Sequence, residues 1–254
     1  QEEISLPERY ARLIGFFKLS DQSFPFEGNR VEVYASGEEM LQALLRAIAR
    51  AEHHIHVEFY IFEDDAVGRL VRDALMDKAR HGVEVRVLYD DVGCWRVPRR
   101  FFQEMRMQGI EVHRFLKVLF PLFTSKVNYR NHRKIVVVDG KVGFVGGMNL
   151  AERYVRGLGW GGWRDTHLKL EGRAVHGLQT VFLLDWFFVD RSLITSKAYF
   201  PKMACCGTSL VQVVTSNPVN PWREVMQGII MALGQAHRYF YVQTPYFLPT
   251  ESLL

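Results

Sequence analysis

The spacing of apolar residues along the chain switches repeatedly between a helical period and a strand-like period. Apolar residues recur at helical spacing from Met40 to Ile48, and Ser36 followed by Glu39 forms a capping box in front of them. The next apolar run, residues 54–62, is short and rich in β-branched and aromatic side chains, which predicts a strand. A second helical pattern then extends to about Gly82. Helix and strand therefore alternate from the start.

The alternation continues to about residue 188 and predicts the fold class. Two apolar strands, residues 135–138 and 142–145, flank Asp139 and Gly140, and an Asp-Gly pair between such runs is a strong hairpin signal. Pro98 is placed to open a helix. Further elements are predicted as strands at residues 83–88, 110–115 and 166–170, and as helices at 98–107 and 173–188. We predict an α/β fold with a mixed β-sheet.

An internal echo relates two distant parts of the chain. Residues 51–62 align without gaps on residues 236–247, at an offset of 185 positions, and Glu58 and Gln243 share one aligned position. Each segment follows a long apolar helix. The order of helix, strand and aromatic ending favours a duplication, although a last strand that joins the same sheet also accounts for the second segment.

Composition narrows the class of protein and of partner. Of the 254 residues, 48% are apolar and 24% charged, which excludes disordered, collagen-like and coiled-coil chains. The net charge of +4 suits partners that carry phosphate, whether nucleic acid or anionic lipid. Three cysteines are too few for a disulfide framework and favour a reducing compartment. No apolar run is long enough to span a bilayer, and because the chain starts at Gln1 we expect a fragment from which membrane anchors are absent.

Residues 131–149 read NHRKIVVVDGKVGFVGGMN and concentrate the chemically useful side chains. His132 and Lys134 are one residue apart, so on an extended strand an imidazole and an ammonium project from the same face. The apolar run that follows holds them at the edge of a buried strand. Gly147 lets the backbone approach a bound group closely, and Asn149 adds a side-chain donor. This set of groups predicts an anion-binding site.

The same residues resemble the phospholipase D superfamily. His-x-Lys, four residues, Asp139, six residues and Gly-Gly-x-Asn match the signature of that superfamily at every position. The flanking segments are similar to bacterial cardiolipin synthases from about Val31 onward; they are YRNHRKIVVVDGKVGFVGGMNL, WRDTHLKLEG, LLDW and TPYFLPTESLL. The resemblance implies an αβα sandwich that forms one lobe of a pseudo-twofold, two-lobed enzyme.

The resemblance also implies roles for individual residues. A histidine attacks the phosphorus of a phosphodiester, and an alcohol or water then displaces it. His132 is the expected nucleophile or acid, and Lys134 the expected stabiliser of the phosphate. Asn149 and Gly147 are expected to bind phosphate. Asp139 belongs to the motif, but its place at the hairpin predicts that it holds the turn rather than contacting substrate.

Asp165 is the expected acceptor that orients the His132 ring. A nucleophilic histidine needs its second ring nitrogen fixed, and the resemblance gives the matching carboxylate this role. The alternative is that Asp165 caps a loop or pairs with Arg164. His167-x-Lys169 imitates the motif but lacks its remaining residues, so we interpret His167 as a strand residue.

The chain contains one such motif, whereas members of the superfamily need two. We therefore expect an N-terminal segment at residues 1–30, a first lobe at 31–207 and the start of a second lobe at 208–254. A second lobe or a second copy would complete the site, and the fragment alone is expected to be inactive. No His, Cys, Asp or Glu cluster has the spacing of metal ligands, so we expect neither metal nor cofactor.

Residues 114–130 are unusually apolar for a loop and have basic edges. They predict either a lip that dips into an anionic bilayer or an extra core helix. The preferred function is a membrane-associated phosphatidyltransferase that makes cardiolipin and glycerol from two phosphatidylglycerol molecules at the bacterial cell membrane, with no nucleic-acid partner. The alternatives are a phosphodiesterase or nuclease of the same superfamily, and a non-catalytic lipid-binding half-domain.

Overall fold

The computed structural model of the chain describes residues 8–115, 130–159, 161–216 and 224–244. The first half of the described elements comprises α1 (Glu8–Ser20), β1 (Pro25–Tyr34), α2 (Gly37–Ala49), β2 (His54–Phe59), α3 (Ala66–Arg80), β3 (Glu84–Asp90), α4 (Arg99–Met107) and β4 (Glu111–Phe115). The second half comprises β5 (Lys134–Val138), β6 (Val142–Gly146), α5 (Glu152–Arg156), β7 (His167–Glu171), α6 (Val175–Asp190), a short 3₁₀ turn (Lys197–Tyr199), β8 (Ser209–Gln212) and α7 (Glu224–Gly234).

The strands form one eight-stranded sheet in the order β4-β3-β2-β5-β6-β7-β1-β8. β2, β3 and β4 are parallel to one another, while β5 pairs antiparallel with β2, and β6, β7 and β1 continue antiparallel. The predicted α/β class with a mixed sheet is confirmed. The central position of β5 explains its continuous apolar sequence, because a strand covered on both faces buries every side chain.

The chain divides into two compact units. One consists of residues 27–210, and the other combines residues 1–26 with 211–254. Within the smaller unit α1 packs against α7, and the Gln212 amide donates hydrogen bonds to the backbone oxygens of Ile14 at 3.2 Å and Ser23 at 3.0 Å. Among the helices of the described ranges, none combines the length and the apolar character needed to cross a bilayer.

Helices cover both faces of the sheet within the larger unit. The main core gathers apolar side chains from α2, α3, α4 and α5 against one face, whereas α6 packs on the opposite face, where Leu88, Phe182 and Trp186 form a smaller cluster. The predicted cap of α2 is present, since Ser36 Oγ accepts the backbone N–H of Glu39 at 3.4 Å. The result is an αβα arrangement.

The two faces of β2 differ in chemistry because successive side chains of a strand point in opposite directions. Ile55, Val57 and Phe59 enter the main core. His54 and His56 point toward α6, where the Gln179 amide bridges them at 2.9 and 2.7 Å. Buried polar groups need such partners, and this network fixes α6 across the polar face of β2.

Several boundaries differ from the predictions. The predicted strand at residues 54–62 ends at Phe59, and β1 was missed because Gly28, with φ of 73°, and Asn29 interrupt its pattern. The described part of the echo, up to residue 244, forms no strand, and Tyr239 and Tyr241 are exposed there; a strand requires a neighbour to pair with.

The predicted domain bounds stay a prediction, although the sheet crosses both of them. β1 begins at Pro25, before the predicted lobe, and β8 joins the sheet after residue 207. Of the apolar segment 114–130, only Arg114, Phe115 and Arg130 belong to the described residues, so the choice between membrane lip and core helix lies outside them.

Candidate active site

A tight hairpin positions the predicted motif. Asp139 and Gly140 both lie in the left-handed region, with φ of 53° and 65°, which matches the twist of the two flanking strands. The hairpin sets the antiparallel register of β5 against β6. Lys134 begins β5 and pairs with Phe59 of β2, so His132 and Lys134 lie at the end of β5 opposite the turn.

His132 and Lys134 converge on Tyr60, which follows β2. The imidazole stacks on the Tyr60 ring with centroids 3.9 Å apart, and Lys134 Nζ lies 5.4 Å from the centre of the same ring. Lys134 Nζ also donates a hydrogen bond to the backbone oxygen of His132 at 2.6 Å. A nucleophilic nitrogen and a cation are thus held side by side.

The electrostatics of the pair suit attack on phosphate. His132 is exposed on one side, and desolvation of its other side lowers its pKa; the Lys134 charge lowers the pKa further, against the opposing effect of Asp90. The imidazole is therefore neutral near pH 7 and carries a lone pair. Burial lowers the pKa of Lys134 to about 8, with Asp165 acting in the opposite direction. Its ammonium is still mostly charged at neutral pH, and it is desolvated, which strengthens its interaction with an anion.

Asp139 lies at the far end of β5, about 16 Å from Lys134 by the rise of a strand. Its carboxylate accepts the backbone N–H groups of Glu52 at 3.0 Å, His53 at 2.8 Å and His54 at 2.9 Å. Burial raises the pKa of Asp139, but these three donors outweigh burial and the net shift is downward. Asp139 joins the hairpin to the start of β2.

Gly147 makes room for a carboxylate rather than exposing its own N–H. A Cβ at Gly147 would lie 2.0 Å from Asp165 Oδ1, and the Gly147 N–H is already donated to the Thr166 backbone oxygen at 2.9 Å. Any other residue at this position would displace Asp165. Binding of phosphate by Gly147 stays a prediction.

Asn149 joins the loop after β2 to α5 through hydrogen bonds of its side chain. Its Oδ1 accepts the Ile61 N–H at 3.0 Å, and its Nδ2 donates to the Tyr154 hydroxyl at 2.7 Å. One amide hydrogen of Asn149 is left over from these bonds. Its predicted contact with phosphate therefore stays open and untested.

Asp165 lies close enough to Lys134 to raise the pKa of that ammonium. Its Oδ1 accepts the Thr166 N–H at 2.7 Å, as the capping alternative requires. Between these two described residues, no hydrogen bond joins the Asp165 carboxylate to the His132 ring. The orienting role of Asp165 stays a prediction.

The interpretation of His167 as a strand residue is confirmed, and the strand places it near Lys134. It begins β7, pairs with Gly146 and is 0% exposed, and neither ring nitrogen has a hydrogen-bond partner in the described part of the chain. Burial, then the charge of Lys134, lowers its pKa to about 4. The glycine opposite it was the available signal, because a Cβ on Gly146 would lie 2.7 Å from His167 Nδ1.

A cavity of about 430 Å³ opens at the Asp139 end of the sheet, away from His132. Its charges largely offset one another, since Lys169 pairs with Glu171 at 2.7 Å and with Glu32 at 3.4 Å. Within residues that the structure describes, no group of three or more His, Cys, Asp or Glu side chains is arranged to hold a metal ion.

Comparisons with known proteins agree with the motif. Residues 44–158 match the family model described as cardiolipin synthase, phospholipase D-like domain. The chain is 42% identical over 246 residues to the major cardiolipin synthase of Bacillus subtilis (strain 168), covering 95% of this chain and 51% of that protein. It is 37% identical over 263 residues to cardiolipin synthase 2 of Bacillus cereus, covering 100% of this chain and 50% of that protein. The chain spans about half the length of these curated relatives.

The fold has a counterpart among solved structures. Phosphatidylserine synthase of Haemophilus influenzae Rd KW20 superimposes with a TM-score of 0.55 at 14% identity, covering 85% of this chain and 57% of that one. At this identity the match concerns the fold alone. The family-model match, the similarity to cardiolipin synthases and the complete motif at residues 132–149 together show that this chain contains a phospholipase D-like domain of the cardiolipin synthase type.

Proposed function

We propose that the chain supplies one half of an enzyme that transfers a phosphatidyl group between two phosphatidylglycerol molecules, making cardiolipin and glycerol. The observation that carries the proposal is the pairing of a neutral, exposed His132 with the buried ammonium of Lys134. The 42% identity to a cardiolipin synthase supports the choice of substrate.

The proposed reaction has two displacement steps. A ring nitrogen of His132 attacks the phosphorus of the first phosphatidylglycerol, and the bond from phosphorus to the headgroup glycerol breaks to leave a phosphohistidine. An acid donates a proton to the departing glycerol oxygen. The free terminal hydroxyl of a second phosphatidylglycerol then attacks the same phosphorus, and the bond from phosphorus to His132 breaks. The deprotonated form of the acid takes the proton of this hydroxyl. Lys134 stabilises the negative charge on the non-bridging oxygens in both steps.

The acid in this scheme comes from a second half. The chain has one complete motif, His-x-Lys followed by Asp139 and Gly-Gly-x-Asn, so a second lobe or a second copy must bring the other histidine. The outer face of α6 supports such packing, because Leu184, Phe187 and Phe188 are 63%, 39% and 47% exposed. Apolar side chains exposed together mark interaction surfaces.

The substrate implies work at a membrane surface. Phosphatidylglycerol is anionic and resides in a bilayer, and the net charge of +4 favours approach to such a surface. We propose that the protein acts at the bacterial cell membrane and needs neither a metal ion nor an organic cofactor, with Lys134 providing the positive charge.

Turnover of phosphatidylglycerol vesicles tests this proposal. We expect cardiolipin and glycerol as products, and His132→Ala should lower the rate at least a hundredfold, or about 3 kcal/mol. His81→Ala, at the end of α3 and exposed, is the matched control and should keep the wild-type rate. Phosphatidic acid as the product would identify a hydrolase, cleavage of nucleic acid a nuclease, and vesicle binding without turnover a lipid-binding half-domain; each result would replace the proposal.

A further inference from the structure

Two carboxyl groups outside the motif, one buried and one largely buried, contact the residues on either side of His132. Glu58, on β2, is 2% exposed, and the side chain of Asp185, on α6, is 14% exposed. They face each other across the polar side of the sheet. Two carboxylates in such a position repel and lack solvent, so a state in which both are ionised is strongly disfavoured.

The surroundings of Glu58 favour the protonated form of its carboxyl group. Burial raises the pKa of Glu58 well above its usual range, and the charge of Asp185 raises the pKa further. Arg133 and Asn131 act in the opposite direction without outweighing these effects. Glu58 Oε2 has no hydrogen-bond partner among the described residues, whereas Asp185 forms a salt bridge with the Arg133 guanidinium. A buried carboxyl oxygen without a donor favours the protonated form of Glu58.

The pair holds the residues on both sides of His132. Asn131 Nδ2 donates one hydrogen to Glu58 Oε1 and the other to Asp185 Oδ2, the latter at 3.3 Å. The Arg133 guanidinium donates to the same Asp185 oxygen, and the Arg133 backbone N–H donates to Asn131 Oδ1 at 3.0 Å. His132 is exposed and makes no side-chain hydrogen bond among the described residues, so its position depends on these two neighbours and on the stacking against Tyr60.

The sequence echo supports an uncharged group at this position. Residues 51–62 align on 236–247, and the residue aligned with Glu58 is Gln243. Glutamine has the shape of a protonated glutamic acid and cannot ionise. If the two segments are copies of one element, a neutral side chain serves at both places.

We propose that Glu58 and Asp185 form a proton-sharing carboxyl pair that positions His132 through its neighbours Asn131 and Arg133. Both are positioning residues, because they act through other side chains. The kinetic consequence rests on the proposed phosphatidyl transfer, whereas the shared proton and the order of the segment can be measured without turnover.

The proton is observed by carbon NMR of the full chain labelled at its glutamate carboxyl groups. One glutamate signal should keep the chemical shift of the protonated acid at pH 7, and Glu58→Gln should remove that signal alone. If every glutamate carboxyl is ionised at pH 7, the pair does not hold a proton and the proposal is overturned.

Backbone exchange reports the order of the segment. Glu58→Ala should speed hydrogen exchange of the Arg133 amide about tenfold or more, because its acceptor Asn131 loses a support, whereas Glu58→Gln should stay near the wild-type rate. Equal hydrogen exchange of the Arg133 amide in wild type, Glu58→Ala and Glu58→Gln would show that the carboxyl pair does not order this segment. Should Glu58→Ala fail to fold, Asp185→Ala is measured against Asp185→Asn in the same way.

Kinetics separate positioning from general stability. Glu58→Ala should lower kcat about tenfold or more with little change in KM, and Glu58→Gln should restore most of the rate. Glu84→Gln is the matched control: it removes a carboxylate paired with Arg86 at the other end of β3, and it should leave kcat unchanged. A Glu58→Gln variant as slow as Glu58→Ala would overturn the proposal. A wild-type chain without turnover would count against the proposed function. The NMR measurement of the Glu58 carboxyl and the hydrogen exchange of the Arg133 amide would still test the proposed carboxyl pair.

Discussion

At the scale of single residues, one aromatic ring organises the candidate active site. Tyr60 stacks on His132 and its ring lies 5.4 Å from the Lys134 ammonium, so both candidate groups contact the same aromatic side chain. Partial desolvation and the Lys134 charge lower the pKa of the His132 imidazole, and burial leaves the Lys134 ammonium less solvated than on an open surface. Desolvated charges interact more strongly with phosphate because little water screens them.

The lowered pKa of Lys134 predicts how activity depends on pH. Phosphate stabilisation needs the ammonium, which loses its proton as pH rises through about 8. We expect kcat/KM to fall about tenfold per pH unit above that value. Lys134→Met should lower the rate about a hundredfold at pH 7 and remove this alkaline limb.

A pH–rate profile of wild type and Lys134→Met between pH 6 and 10 checks this expectation. Thermal unfolding at each pH serves as the control for loss of the fold. A flat wild-type profile, or an unchanged rate in Lys134→Met, would remove Lys134 from the site.

At the scale of elements, one end of the β5–β6 hairpin carries the candidate catalytic pair and the other end anchors the start of β2. One end carries His132 and Lys134, and the other carries Asp139, which binds three backbone N–H groups at the start of β2. Asp139 thereby fixes β2 against β5, and with it Tyr60 beyond the end of β2. The aspartate of the motif therefore supports the site through the strand pair.

Removing the Asp139 carboxylate should destabilise the fold. Asp139→Ala leaves three backbone N–H donors without their acceptor. Alanine also tolerates a positive φ poorly, because it has no polar side chain to stabilise that backbone conformation. We therefore expect a loss of about 2–4 kcal/mol in the free energy of unfolding. Asp139→Asn keeps one acceptor and tolerates the backbone conformation, so it should lose about half as much. Because the folded-state pKa of Asp139 is lowered, its contribution is full above the unfolded pKa and is lost as pH falls through the folded value.

Urea unfolding at pH 7 and at pH 3 measures both effects. Asp77→Asn, on the exposed surface of α3, is the control and should change stability by less than about 0.5 kcal/mol. Equal stability of Asp139→Ala and wild type at pH 7 would contradict the anchoring role.

At the scale of the whole molecule, the sheet is covered unequally. Four helices share the main core on one face, whereas α6 covers the other face and exposes Leu184, Phe187 and Phe188 outward. The chain also carries one motif where the proposed chemistry needs two histidines. Both facts favour a second half that packs against α6.

We expect phosphatidylglycerol turnover by this chain only in an assembly that brings two motifs together. Attack without an acid for the leaving oxygen forgoes a factor of roughly 10² to 10⁴. Light scattering combined with turnover tests this, and Leu184→Glu should abolish association and activity together. Leu70→Glu, 50% exposed on α3, is the control and should change neither. Full activity from a monomer would contradict the requirement for a second half.

The sequence by itself determined the elements and the reactive pair. The capping box at Ser36, the Asp-Gly turn and the apolar run of β5 are local signals, because caps, turns and strand periodicity act over a few residues. His132 and Lys134 share one strand end, so their meeting follows from spacing alone. The missed strand β1 and the shortened β2 show where local patterns fail, since strand limits depend on pairing partners.

Only the tertiary structure decided which distant groups surround that pair. Glu58 and Asp185 are 127 positions apart in the chain and meet because α6 crosses the polar face of β2. His167 reaches the site because β7 pairs with Gly146, a register that no local pattern encodes. Gly147 leaves room for the carboxylate of Asp165, which lies eighteen positions further along the chain. Contacts between separate elements depend on sheet order and register, and these are set by the packing of the whole core.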